Sequence, residues 1–205
     1  MKKLALAVAL AASFGSAHAS GLYIDSPTGS YTINEGNLDN PVVPFAVVSD
    51  VVDTTTAGVW GRLGATHQEY VSFTFLGSSS GYNNSFKFSL GSLGELDTIG
   101  ETLTATVMGA GLLDFSFINL SNGSSFSNIS STFTTAHAFT IVDAHGVNGF
   151  DYYIGYNDNG VWDTDYNDFL VGVSTSEVPV PAALPLMASG LGLLGFAGFR
   201  RKSAA

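Results

Sequence analysis

Between its two ends the chain alternates apolar residues with small polar ones, and no stretch there sustains a helical period. Three Phe-x-Phe pairs set the pattern: Phe73 and Phe75, Phe86 and Phe88, Phe115 and Phe117. In an extended chain each pair lies on one face, with Ser, Thr or Lys on the other. The alternation predicts strands over residues 70–76 and 85–90, joined as a hairpin around a loop at 77–84. Further strands are predicted at 42–48, 102–108, 112–119, 137–142, 150–156 and 169–173. Short strands divided by Gly, Ser and Asn turns imply an all-β body, a β-sandwich or jelly roll. The Phe stripe is its expected core, and any exposed remnant of the stripe would be a platform for sugar.

Both ends break this pattern. Lys2 and Lys3 precede an apolar run over 4–12, and Ala17-His18-Ala19 follows with small residues where a signal peptidase reads. This is the layout of a secretory signal peptide cut after Ala19, and the run is too short to span a bilayer. At the other end, residues 182–199 carry no charge. As a helix this segment would be about 27 Å long, close to the bilayer core. Arg200, Arg201 and Lys202 follow at once, so the helix would run from outside to inside. Pro179, Pro181 and Pro185 stiffen its entry and set its start. Gly190, Gly192 and Gly195 match G-x-G-x-x-G, but without the strand and βαβ unit that a dinucleotide site needs. In a membrane helix such glycines permit close helix approach instead.

A short Pro-containing motif, one apolar helix and a terminal Arg cluster resemble the PEP-CTERM sorting signal of Gram-negative bacteria. The matching residues are Val178, Pro179, Val180 and Pro181, the Gly-rich segment, and Arg200, Arg201 and Lys202. Val180 stands where that signal's Glu would be, with Glu177 close by. The resemblance implies recognition by an exosortase, a membrane protease-transpeptidase, after transient anchoring in the inner membrane. The product would go to the cell envelope or the extracellular matrix. A plain C-terminal anchor is the alternative. The expected organisation is a signal peptide at 1–19, an exported body at 20–177 and a sorting signal at 178–205.

Charge sharpens the picture of the body. All 17 acidic residues of the chain lie there against two cations, Arg62 and Lys87, so its net charge is near −15 while the whole chain's is −10. That excludes nucleic acid and anionic lipid as natural partners. It suits a soluble exported domain and invites divalent cations. There is no cysteine, so stability must come from packing or a metal rather than disulfides.

Candidate chemistry concentrates in residues 143–168. The segment Asp163-Thr164-Asp165-Tyr166-Asn167-Asp168 is dense in hard oxygen ligands of the kind calcium takes in sets of six to eight. Asp163, Asp165, Asn167 and Asp168 are the expected ligands, provided the chain curls, because alternate residues of a straight strand diverge. It is not an EF-hand: Asp168 takes the glycine position and Ser174 that of the bidentate Glu. The equal alternative is a polar loop whose side chains cap turns. The segment also resembles the aspartate-rich D-x-D-Y-N-D ends of exported bacterial domains of undefined function, which look like calcium-dependent surface modules.

Other motifs carry less. Gly77-Ser78-Ser79-Ser80-Gly81 matches G-x-S-x-G, with Asp143 and His145 in triad order, but a strand rather than a helix is predicted after it. His67-Gln68-Glu69 lacks the cysteines of a zinc deaminase, and His137 and His145 have no zinc spacing. Glu69, Glu95 and Glu101 could in principle form a glycosidase pair, but nothing in the sequence marks them. Asn83, Asn119, Asn122 and Asn128 each open an N-x-[ST] sequon. The expectation is therefore a non-enzymatic structural or adhesive protein, sorted by an exosortase, possessing a calcium-ordered body and contacting exopolysaccharide. The alternatives are a lectin, which would expose Trp60, Trp162 or Tyr166 to a glycan, and a glycan hydrolase.

Overall fold

The computed structural model describes residues 21–31, 58–130, 138–158 and 165–178. The predicted strand at 42–48, the signal peptide, the segment 182–199 and the sorting residues Pro179, Val180, Pro181, Arg200, Arg201 and Lys202 lie outside them. Among the described residues, no helix is long and apolar enough to cross a membrane.

The body is all-β, with twelve strands among the described residues. They are β1 (Leu22–Tyr31), β2 (Gly58–Ala65), β3 (Glu69–Gly77), β4 (Asn84–Phe88), β5 (Gly91–Gly94) and β6 (Thr102–Val107). Then come β7 (Gly111–Leu112), β8 (Phe115–Asn119), β9 (Ser125–Ser127), β10 (Phe139–Asp143), β11 (Tyr152–Tyr156) and β12 (Phe169–Glu177). A short 3₁₀ turn, Val147–Gly149, precedes β11. Every described pairing is antiparallel. The large sheet runs β1-β2-β10-β11-β12-β3-β6, with β7 also on β2, and the small sheet runs β5-β4-β8-β9.

The predicted hairpin between residues 70–76 and 85–90 does not form. Both segments are strands, but β3 pairs with β12 and β6, while β4 pairs with β5 and β8. The loop between them crosses from one sheet to the other. The reason is the Phe pairs. In a hairpin, Phe73, Phe75, Phe86 and Phe88 would crowd one face of one sheet and still need a cover. Placed in facing sheets they cover each other. The Phe73 ring lies 4.8 Å from Phe86 and 4.6 Å from Phe88, centroid to centroid. Phe117 of β8 stacks on Tyr156 of β11 at 4.7 Å, nearly parallel. All six stripe residues are buried, so the stripe is core as expected. Each buried phenylalanine contributes of order 2–3 kcal/mol from the transfer of its ring out of water.

The predicted strand at 112–119 is two strands. The break falls at Leu113, which turns into the core while its N–H donates to the Leu63 carbonyl at 3.0 Å. A second, smaller cluster sits on the outer face of the large sheet. There Tyr166, Tyr153 and Leu170 pack with Val142, under Trp60 and Phe150. Gly172 makes room for this cover, because a Cβ there would meet the Phe150 ring at 2.6 Å. The rest of that face stays open.

Candidate functional site

The end of the core where β4, β11 and β12 meet is closed by polar side chains instead of apolar ones. On β4, residues 84, 86 and 88 share a face, and on β8 so do 115, 117 and 119. Both stripes finish in asparagine, and Asn84 sits directly opposite Asn119. Both are fully buried. Asn119 turns its Oδ1 to the N–H groups of Ser121 and Asn122, at 2.9 and 3.2 Å, capping the turn that follows β8. Asn84 has different partners. Its Nδ2 donates to Asp158 Oδ2 at 2.5 Å, and its Oδ1 is buried without a hydrogen-bond partner.

Asp158 is the hub. It follows β11 and is nine-tenths buried. Ser80 Oγ donates to the same Oδ2 at 2.5 Å, and the Asp158 N–H donates to Asp168 Oδ2 at 2.8 Å. Ser78 Oγ lies 2.6 Å from the Asp168 carbonyl and 3.0 Å from Glu95 Oε1. The Ser79 N–H donates to the Asn167 carbonyl at 3.0 Å. The loop that crosses between the sheets is thus laced to the segment that enters β12. Burial pushes the Glu95 carboxyl above the usual carboxylate range, and the Asp158 charge adds to this, while hydrogen bonds from Ser78 and Asn84 oppose it. Burial likewise raises the Tyr156 phenol, with the charges of Asp158 and Asp168 adding to it.

In the described part of the aspartate-rich segment, Tyr166 holds a left-handed backbone at φ 54°. That conformation is costly for a bulky side chain and persists only where its surroundings fix it. Here Tyr166 is buried, and its hydroxyl accepts from Trp60 Nε1 at 2.7 Å. Of the four expected calcium ligands, Asp163 lies outside the described residues. Asp165 is partly exposed, and Asn167 and Asp168 are buried. Asp168 is brought together with Asp158. Among the described residues, no three His, Asp or Glu side chains are placed to hold an ion by themselves. Ser80, Asn84 and Asp158 were not among the expected ligands. The legible signal was an asparagine ending each Phe stripe.

Other candidates separate. Ser78, Ser79 and Ser80 sit beside the start of β12, next to the Tyr156 end of β11, whereas Asp143 and His145 lie at its Tyr152 end. The serine, aspartate and histidine of the apparent triad are therefore at opposite ends of the sheet. Asp143 and His145 pair with each other at 3.2 Å beside a cavity of about 250 Å³ that also touches Asp151 and Tyr152. His67 is exposed and Glu69 buried, and His137 and Trp162 lie outside the described residues. Tyr166 is not an exposed platform, and Trp60 is half covered. Of the sequons, Asn119 and Asn128 are fully buried, whereas Asn83 and Asn122 are exposed.

The open part of the large sheet's outer face carries hydroxyls in register. Thr102 and Thr74 lie beside Gly172, Thr104 and Ser72 beside Ser174, and Thr106 and Tyr70 beside Ser176. Ser72 and Thr104 bond side chain to side chain at 2.7 Å, Thr74 and Thr102 at 2.9 Å. These rows carry no charge, on a body otherwise strongly acidic. Comparison with family models, curated proteins and solved structures returned no match for the chain.

Proposed function

We propose that this is an exported protein of the cell envelope or extracellular matrix, structural or adhesive in role, whose body is a calcium-ordered β-sandwich. The observation that carries the adhesive role is the uncharged grid of serine and threonine hydroxyls on β12, β3 and β6. Neighbouring positions of such a grid repeat at about 4.8 Å across strands and about 6.7 Å along them. A neutral polysaccharide, rich in hydroxyls and poor in charge, is the partner that suits it. Export rests on the two terminal segments, with an exosortase as the processing partner of Val178, Pro179, Val180, Pro181, Arg200, Arg201 and Lys202. Calcium at the aspartate-rich segment, with Asp163, Asp165, Asn167 and Asp168 as the ligands expected from sequence, would order the body.

A lysine at the centre of the grid tests the adhesive role. Thr104 is exposed, so Thr104→Lys should leave stability within about 0.5 kcal/mol of the parent. The full-length variant should be released from the polysaccharide matrix of the producing cell, while the parent is retained. Equal retention of both would remove the grid from the reading.

A second reading, glycan hydrolysis, is favoured by one observation. A carboxyl pushed above the usual range by burial, beside a second acid, is the arrangement of an acid–base pair, and Glu95 beside Asp158 has that character. Turnover of the producer's own matrix, lost in Glu95→Gln with the fold intact, would replace the adhesive reading with this one.

A further inference from the structure

We propose that a calcium ion binds between the two sheets, held by the carboxylates of Asp158 and Asp168, the side-chain carbonyl of Asn84 and the hydroxyl of Ser80. The proposal rests on the calcium-ordered reading and moves its centre. The ion joins the β4 side of the core to the loop before β12, and is not wrapped by the aspartate-rich segment alone.

Two independent observations meet here. The first is the acidic pair. Asp158 and Asp168 are both buried, and the N–H of one is bound to the carboxylate of the other. The body's two cations are elsewhere: Arg62 is paired with Asp25, and Lys87 is exposed on β4. The second is the Asn84 carboxamide. It is fully buried and reaches Asp158 through its nitrogen, yet its oxygen has no partner. A buried acceptor with nothing to accept is rare and costly. An ion lying between that oxygen and the carboxylates would satisfy it and offset their charge. Neutral carbonyl and hydroxyl oxygens mixed with two carboxylates, in an irregular cage, suit calcium better than magnesium, which demands near-octahedral geometry and gives up its water reluctantly. Backbone carbonyls and water would complete the six to eight oxygens.

The test titrates calcium chloride alone into the full-length protein, previously stripped with chelator, by calorimetry and by thermal melts. The parent should bind with measurable heat. At a calcium concentration a hundredfold above Kd it should gain roughly 5–10 °C in Tm. Asp158→Asn, which keeps size and shape, and Asn84→Ala should each lose both signals, whatever Asp165→Asn does. Calorimetry at a temperature where circular dichroism shows a folded chain keeps the result interpretable if Asn84→Ala lowers stability. Binding kept in Asp158→Asn but lost in Asp165→Asn would overturn this ligand set and leave the calcium-ordered reading standing. A parent that neither binds nor shifts would overturn both.

Discussion

Asn128 takes the place of a length of backbone. Its Oδ1 accepts from the Leu63 N–H at 2.8 Å, and its Nδ2 donates to the carbonyls of Leu63 at 2.8 Å and Leu113 at 2.7 Å. The side chain thereby extends the ladder of β2 and ties it to the segment that follows β9. Because Asn128 is fully buried, the sequon it opens is closed to modification in the folded protein. Asn128→Ala takes the side-chain acceptor from the Leu63 N–H, while the carbonyls of Leu63 and Leu113 keep the N–H groups of Leu113 and Phe115. It should cost about 2 kcal/mol, read as a fall in Tm of roughly 4–8 °C. Asn122 is exposed, so Asn122→Ala should change Tm far less, and equal effects would contradict the assigned role.

At the scale of elements, β11 concentrates phenols: Tyr152, Tyr153 and Tyr156 all have their ionisation pushed up by burial. The charges of Asp143 and Asp151 add to this at Tyr152. A folded pKa above the unfolded value of about 10 means that folding favours the protonated phenol. This contribution is complete below pH of about 10 and is lost as pH rises toward the folded values. Urea midpoints should therefore fall steeply above pH of about 10, with phenolate absorbance from these residues appearing only as β-structure is lost. Ionisation of all three at ordinary pH with the sheet intact would contradict their burial.

The same elements show what alternation reveals and what it hides. Period two marked β3, β4, β6, β8, β10, β11 and β12, because each turns an apolar face to the core, partly buried in β6 and buried in the others. It could not assign partners, since a Phe stripe is equally apolar whether it lies beside its neighbour or across from it. β1 and β2 were not legible. β1 holds Pro27 and shifts register on either side of Thr28. β2 interrupts its alternation with Gly61 and Gly64, and a Cβ at Gly64 would meet the Tyr23 ring at 2.5 Å. The polar character of the aspartate-rich segment was legible, and the burial of Asn167 and Asp168 was not. The bond between Asn84 and Asp158 was not legible either, because it joins residues 74 positions apart.

At the scale of the whole molecule, β12 lies inside the large sheet, between β11 and β3, although it is the last of the described strands. It holds β1, β2, β10 and β11 to β3 and β6. The order in which the chain is made therefore matters. Until residues 169–177 have emerged, β11 and β3 each keep one open edge, beside β10 and β6 on their other sides, and open edges invite pairing with other chains. A chain ended at Asp168 should not yield a slightly smaller fold. It should yield two half-sheets that aggregate, visible as insoluble expression where the full-length protein is soluble in the same detergent; a soluble truncated chain with native circular dichroism would contradict this. High contact order makes such a sheet slow to assemble. A ribosome can complete the chain before the sheet closes, so the polypeptide stays threadable for as long as β12 has not joined it.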